Sequence, residues 1–234
     1  MPFSMRTTEF LFENRVTDSR LWFEEHRGEY EDVVLEPLRQ LVRDLTPAML
    51  EIDPFFCCEP KIGKCISRVF RDTRYSRDKH IFRDSMWISF ARSRIISGAS
   101  PGYFFEVSPR GLLWGCGWYQ APPEAMAILR ERILAGDGRF KACQRTLKKR
   151  PDFWLSDERY KRSKYPDAPE ELRSWLDLKN VCLLAGGDLD ALRPSPALPD
   201  VLAADFQALR PLYDFLTEVA SLVPKRGEGE NETW

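Results

Sequence analysis

The densest set of side chains able to do chemistry lies at residues 66–83, ISRVFRDTRYSRDKHIFR. Arg68, Arg71, Arg74, Arg77, Lys79 and Arg83 share this stretch with only Asp72 and Asp78 as acids. Planar guanidinium forks suit phosphate and carboxylate groups. The surplus positive charge therefore calls for an anionic partner or for internal pairing. Arg68, Arg71, Asp72, Arg74 and Lys79 are the candidate ligand-binding residues. The competing reading is an ion-pair network, completed by Glu24, Glu25 or Glu29, that locks the segment to the helices; such networks mimic sites.

Two further constellations stand out. In LLWGCGWY, Gly115 and Gly117 leave one strand face without side chains, which admits a helix, another backbone or a ligand close to the main chain. Tyr119 borders that track and Trp118 lies on the opposite face. In the acidic stretch WFEEHRGEY, Glu25 and Glu29 are four apart and share a helix face, as do Trp22 and His26. Paired carboxylates near a histidine can serve acid–base or metal chemistry, but a solvated charged face explains the same pattern.

Other signatures are missing. There is no nucleophile elbow, no Walker-type phosphate loop and no dinucleotide fingerprint, and no motif calls for a cofactor or a metal. The cysteines at 57, 58, 65, 116, 143 and 182 form no C-x-x-C pair, so reduced, packed thiols are expected. The formal net charge of -1 argues against a general nucleic-acid binder. The first residues, MPFSMRTTEFLFENR, lack the pattern of a secretory signal. No apolar run approaches the roughly 20 residues that cross a bilayer. A cytoplasmic protein with no membrane association is the expectation.

The elements that must position these residues fall into two classes. Asp18 or Ser19 can cap a helix that starts near Arg20. Tyr30, Val34, Leu38, Leu41 and Leu45 then form a buried stripe that Pro37 should bend or divide. A helix from Pro122–Pro123 to Gly136 carries Met126, Leu129 and Ile133. A shorter one carries Phe140, Cys143 and Leu147, and another spans about 170–176. A last helix, about 200–222 and bent at Pro211, carries Leu202, Phe206, Leu209, Leu212, Leu216 and Val219. Alternation places strands at 66–73, 86–91, 103–108, 112–119 and 181–185, with the third and fourth joined as a hairpin. The expected fold is α+β, a largely antiparallel central sheet of about five strands flanked by N-terminal and C-terminal helices. One domain over 1–224 is expected, with a linker to the final helix at 193–199 and a frayed tail at 225–234.

Several segments together resemble the family of domain of unknown function 2461. They are Trp22-Phe23-Glu24 followed by Tyr30 and Pro37, then FRDTRYSRDK from Phe70 to Lys79. Gly102-Tyr103-Phe104 with its downstream glycine-rich strand, Arg130 with Ile133, the stretch from Lys164 to Trp175, and Leu178-Lys179 complete the set. The likeness runs from about Phe10 to the final helix. It implies a single α+β domain and brings no activity with it. After Lys79 relatives tend to continue with a proline, an aromatic residue and a lysine. Here the chain has His80-Ile81-Phe82-Arg83, which keeps the charge and loses the proline turn.

Three functions follow as expectations. The first is a soluble domain that holds a phosphate- or carboxylate-bearing small molecule at Arg68, Arg71, Arg74 and Lys79, beside the Gly115/Gly117 strand. The second is an enzyme on an anionic substrate, with Asp72 and Glu24 or Glu25 as acid–base or metal-binding groups. The third is a nucleic-acid or protein interaction module with Tyr75 stacking on bases.

Overall fold

The computed structural model describes residues 3–92, 100–188 and 198–224. Helix α1, Met5–Thr17, opens with the Ser4 amide donating to Thr7 Oγ1 at 3.1 Å. It ends where Asp18 turns left-handed (φ 48) and its amide reaches the Asn14 carbonyl. The Ser19 hydroxyl accepts the Trp22 amide at 3.3 Å and starts α2, Arg20–Glu25. Helix α3, Arg27–Tyr30, leads through a wide π-type turn over Glu31–Leu35 into α4, Glu36–Ile52. Pro37 sits in the first turn of α4, where its missing amide is tolerated, so it does not divide the stripe. Tyr30, Val34, Leu38, Leu41 and Leu45 are all buried.

The sheet contains β1 (Met86–Ala91), β2 (Gly102–Ser108), β3 (Gly111–Gly117), β4 (Trp154–Leu155) and β5 (Cys182–Gly187). Its order is β1-β2-β3-β5-β4, every pair antiparallel. Helices α5 (Pro123–Leu134), α6 (Gly138–Lys149), α7 (Glu170–Leu176), α8 (Leu198–Ala208) and α9 (Arg210–Ser221) complete the described chain. The expected last helix is two helices meeting at Leu209, because Pro211 begins α9 rather than bending a single rod. This is the expected α+β architecture. No helix of the described residues is long and apolar enough to cross a membrane. The expected linker at 193–199 lies outside the described residues as far as 197, and the expected tail at 225–234 lies wholly outside them.

The two faces of the sheet differ. Met86, Ile88 and Phe90, Tyr103, Phe105 and Val107, Leu112, Trp114 and Cys116, and Leu183 and Ala185 point inward and are buried. Helices α8 and α9 pack on this inner face, with Phe206 and Tyr213 against Tyr103. The Trp114 indole donates to Asp205 of α8 at 2.8 Å, and Arg150 Nη2 binds the other oxygen of that carboxylate at 2.6 Å. The outer face is only half buried and carries Trp87, Ser89, Phe104, Glu106, Leu113 and Leu184. Register aligns Trp87 with Glu106 and Leu113 in one row, and Ser89 with Phe104, Gly115 and Leu184 in the next.

One expected strand is absent. Residues 66–73 are not a member of the sheet; they touch it where Ile66 bridges Ile88, where the Ser67 amide reaches the Trp87 carbonyl at 2.9 Å and where the Ser67 hydroxyl accepts the Trp87 amide at 3.0 Å. The fifth strand is instead the two-residue β4, too short to leave a pattern in sequence. Residues 69–83 form a hairpin-like loop along the β1 edge. The Arg83 amide donates to Val69 O at 2.9 Å and the Arg71 amide to Ile81 O at 2.8 Å. Charges on both sides of the 66–73 segment forbid a place inside a sheet with one buried face.

Candidate anion site on the outer sheet face

The loop is held by its acids. Asp72 is exposed; its Oδ1 accepts the Arg74 amide at 3.1 Å, and its carboxylate pairs with the Arg74 guanidinium at 2.7 Å. Arg74 thereby holds the Asp72 carboxyl down at about 2. Lys79 Nζ caps the Thr73 carbonyl at 3.0 Å. These bonds close the turn itself.

Asp78 anchors the loop to the body. Its Oδ1 accepts the His80 amide at 3.1 Å and faces His80 Nδ1 at 2.7 Å. Its Oδ2 accepts both Arg71 and Arg15, the latter from the end of α1. These donors, with His80 the strongest, hold the carboxyl well below the usual carboxylate range. Asp18 Oδ1 accepts the Ile81 amide at 2.8 Å, and Phe82 is wholly buried against Phe23 and Phe70. Glu24 and Glu29 serve other partners: Glu24 pairs with Arg27 at 3.3 Å and Glu29 with Arg6. His26 stacks on Trp22 at 4.1 Å, with its Nδ1 on the Trp22 carbonyl. The acidic helix and the arginine loop therefore form no shared carboxylate cluster.

Arg83, unlike Arg71, Arg74 and Lys79, is left without such a bond. Its guanidinium lies 4.7 Å above the Trp87 ring, half buried, on the outer face. It makes no hydrogen bond or ion pair among the described residues, and its Nε is sealed from water without a partner. Burial, then the nearby Arg71, push it below the usual guanidinium value; Tyr119 and Glu106 act in the opposite sense. Across the strand pair from Trp87 stands Glu106. Burial pushes its carboxyl above the usual value, against the pull of Arg110, Ser85 and Arg83. Arg83 thus feels Arg71, Glu106 and Tyr119 while it lies over Trp87, on a half-buried aromatic face. Arg68 is exposed nearby in sequence and has no hydrogen bond or ion pair among the described residues.

Gly115 and Gly117 do not leave an empty track. A β-carbon at Gly115 would collide with the Leu183 carbonyl, and one at Gly117 with the Val181 carbonyl. The two glycines let β5 close on β3. They lie one strand beyond β2, so the structure does not bring them against Arg71. All six cysteines are free thiols; Cys65, Cys116 and Cys143 are buried. Among the described residues no group of His, Cys, Asp or Glu is placed to hold a metal ion.

Sequence reasoning counted Arg83 among the cations without singling it out, and missed Trp87, Glu106 and Arg15. The alternation of β1 and β2 does place Trp87 and Glu106 on the same face. Their meeting with Arg83 depends on a loop folding back over the β1 edge, and no local pattern reports that.

Among curated proteins and among solved structures, none matches the chain. A family model described as conserved hypothetical protein (DUF2461) matches residues 6–215, which takes in the arginine loop, all five strands and the first half of α9. The chain therefore belongs to the conserved hypothetical protein family DUF2461.

Proposed function

We propose that the protein binds a small phosphate- or carboxylate-bearing molecule against Arg83, with Arg71 beside it and Trp87 beneath. One observation carries this reading: a half-buried guanidinium that forms no hydrogen bond or ion pair among the described residues, crowded by Arg71 and only partly offset by Glu106. Unpaired charge in that setting costs stability, and an arriving anion would relieve it. The exposed Arg68 adds positive potential, whereas Asp72, Arg74 and Lys79 shape the loop. Trp87 and Phe104 offer apolar surface for the remainder of the ligand.

Thermal-shift titration against inorganic phosphate, nucleotides and dicarboxylates tests the proposal. Wild type should be stabilised by at least one member at millimolar concentration. Arg83→Met should lose about 1.5–3 kcal/mol of that binding, one charge-assisted hydrogen bond. Without ligand the same variant should melt higher than wild type, because it removes an uncompensated charge. An unliganded Arg83→Met protein that melts lower, with no ligand response in wild type, would show that Arg83 is only structural.

A second reading, an acid–base enzyme on the same anion, has one observation in its favour. Glu106 is the carboxyl near these cations whose proton affinity is raised. It replaces Asp72 and Glu24, which are spent on Arg74 and Arg27. For any substrate turned over, Glu106→Gln should retain binding and abolish turnover; loss of both together would reduce Glu106 to a positioning role.

A further inference from the structure

A different part of the molecule contains a second cleft. Glu170, Arg173 and Ser174 of α7 and Asp177 just after it, together with Arg159, Tyr160 and Ser163, line a hollow of 360 Å³. Its base is rigid. The Tyr160 amide donates to Asp177 O at 2.9 Å and the Lys164 amide to Asp177 Oδ1 at 3.0 Å. The Tyr160 ring lies 5.7 Å from the guanidinium of buried Arg130 and 3.9 Å from Lys164 Nζ. Arg130 is fixed in turn by the Leu176 and Leu178 carbonyls at 2.9 and 2.7 Å.

Two of the charged side chains that face this hollow lack partners among the described residues. The Arg173 side chain makes no hydrogen bond or ion pair among the described residues, and its Nε is sealed from water without an acceptor. Glu170, three residues earlier on the same helix, likewise has no such partner, although residues at that spacing are neighbours that commonly pair. Arg159 gives Nη1 to the Ser174 carbonyl and meets no carboxylate. The lining is balanced, with Arg159 and Arg173 against Glu170 and Asp177. A simple anion would meet the two acids and a simple cation the two guanidinium groups. A ligand that carries both signs a few bonds apart satisfies all four.

We propose that this cleft binds a small zwitterion of the α-amino acid type, its carboxylate on Arg173 and Arg159 and its ammonium on Glu170 and Asp177. The proposal is independent of the outer-face site and shares no residue with it.

The test uses the full chain in calorimetric titration with each of the common L-amino acids. Acetate, methylammonium and inorganic phosphate serve as single-charge controls. At least one amino acid should bind saturably at millimolar concentration or below, and the controls should bind far more weakly. Arg173→Met and Glu170→Gln should each weaken that binding about tenfold or more, the loss of one charged hydrogen bond, and Arg83→Met should leave it unchanged. Should Arg173→Met not fold, Glu170→Gln, on the exposed start of α7, carries the test alone. Saturation by no amino acid overturns the proposal. So does acetate or phosphate binding as tightly as any amino acid, or binding that survives the substitution.

Discussion

Two carboxyl groups of the β1-edge region respond to pH in opposite directions. Asp78 is held below its usual 3.8 by His80, Arg15 and Arg71. A depressed folded value contributes stability above the unfolded one, and that contribution is lost as pH falls toward the folded one. Asp78→Asn should therefore lower the melting temperature at neutral pH, with the deficit shrinking as pH drops below 3.8. Glu106 is raised above its usual 4.5, chiefly by burial. Ionised Glu106 then costs stability above its folded value and nothing below the unfolded one, where both states carry the proton. Glu106→Gln should stabilise the protein at about pH 7 and lose that advantage near about pH 4. Urea unfolding at about pH 7, 4 and 2 checks both; a Glu106→Gln gain equal at the two higher values would show that protonation is not its cause. Asp78 was visible in sequence as an acid among cations. Its partner Arg15 was not, since 63 positions separate the two.

The elements set where the loop and the faces lie. β3 and β5 close on each other because Gly115 and Gly117 lack side chains. Gly115→Ala should cost about 1–3 kcal/mol, since its methyl meets backbone rather than a movable side chain. Gly28 is the control: it is helical, with nothing within 4 Å of the added methyl. Gly28→Ala should stabilise by about 0.4–1 kcal/mol. Denaturant midpoints of the two variants should move in opposite directions. Alternation marked β1, β2 and β3 nearly to the residue, because one face meets the core and the other is half exposed. It misled at 66–73, where alternating types belong to a loop fixed by Asp72, Asp78 and Asp18. Helix α1 went unmarked because its buried side mixes Thr7, Thr8 and Asn14 with Phe10 and Leu11, which blurs the apolar period.

At the scale of the whole molecule, one continuous cluster of buried side chains runs from Phe3 to Val219 and includes residues of α1, α4, α8, α9 and the sheet. Asp53 ties its ends together: the carboxylate at the close of α4 accepts the Tyr213 hydroxyl of α9 and pairs with Arg92 at 2.6 Å. Burial would raise that carboxyl, but Tyr213, Arg92 and the Phe55 amide together hold it below its usual value. A core shared in this way should unfold as a unit. Tryptophan fluorescence and far-ultraviolet dichroism should give coincident denaturation curves, and separated midpoints would show independent parts. Asp53→Ala should shift both curves together by about 1–3 kcal/mol, the cost of leaving the buried Tyr213 hydroxyl without its acceptor.

By itself the sequence determined the class of fold, the helical stripes, the hairpin strands and the stretch of chain where positive charge gathers. All of these are written in local periodicity and composition. Only the tertiary structure decided which cations are spent and which remain. Arg71 finds Asp78, Arg74 finds Asp72, and Arg83 comes to rest on Trp87 with no ion pair among the described residues. A charge's worth depends on its surroundings in space, and those are assembled from residues far apart along the chain.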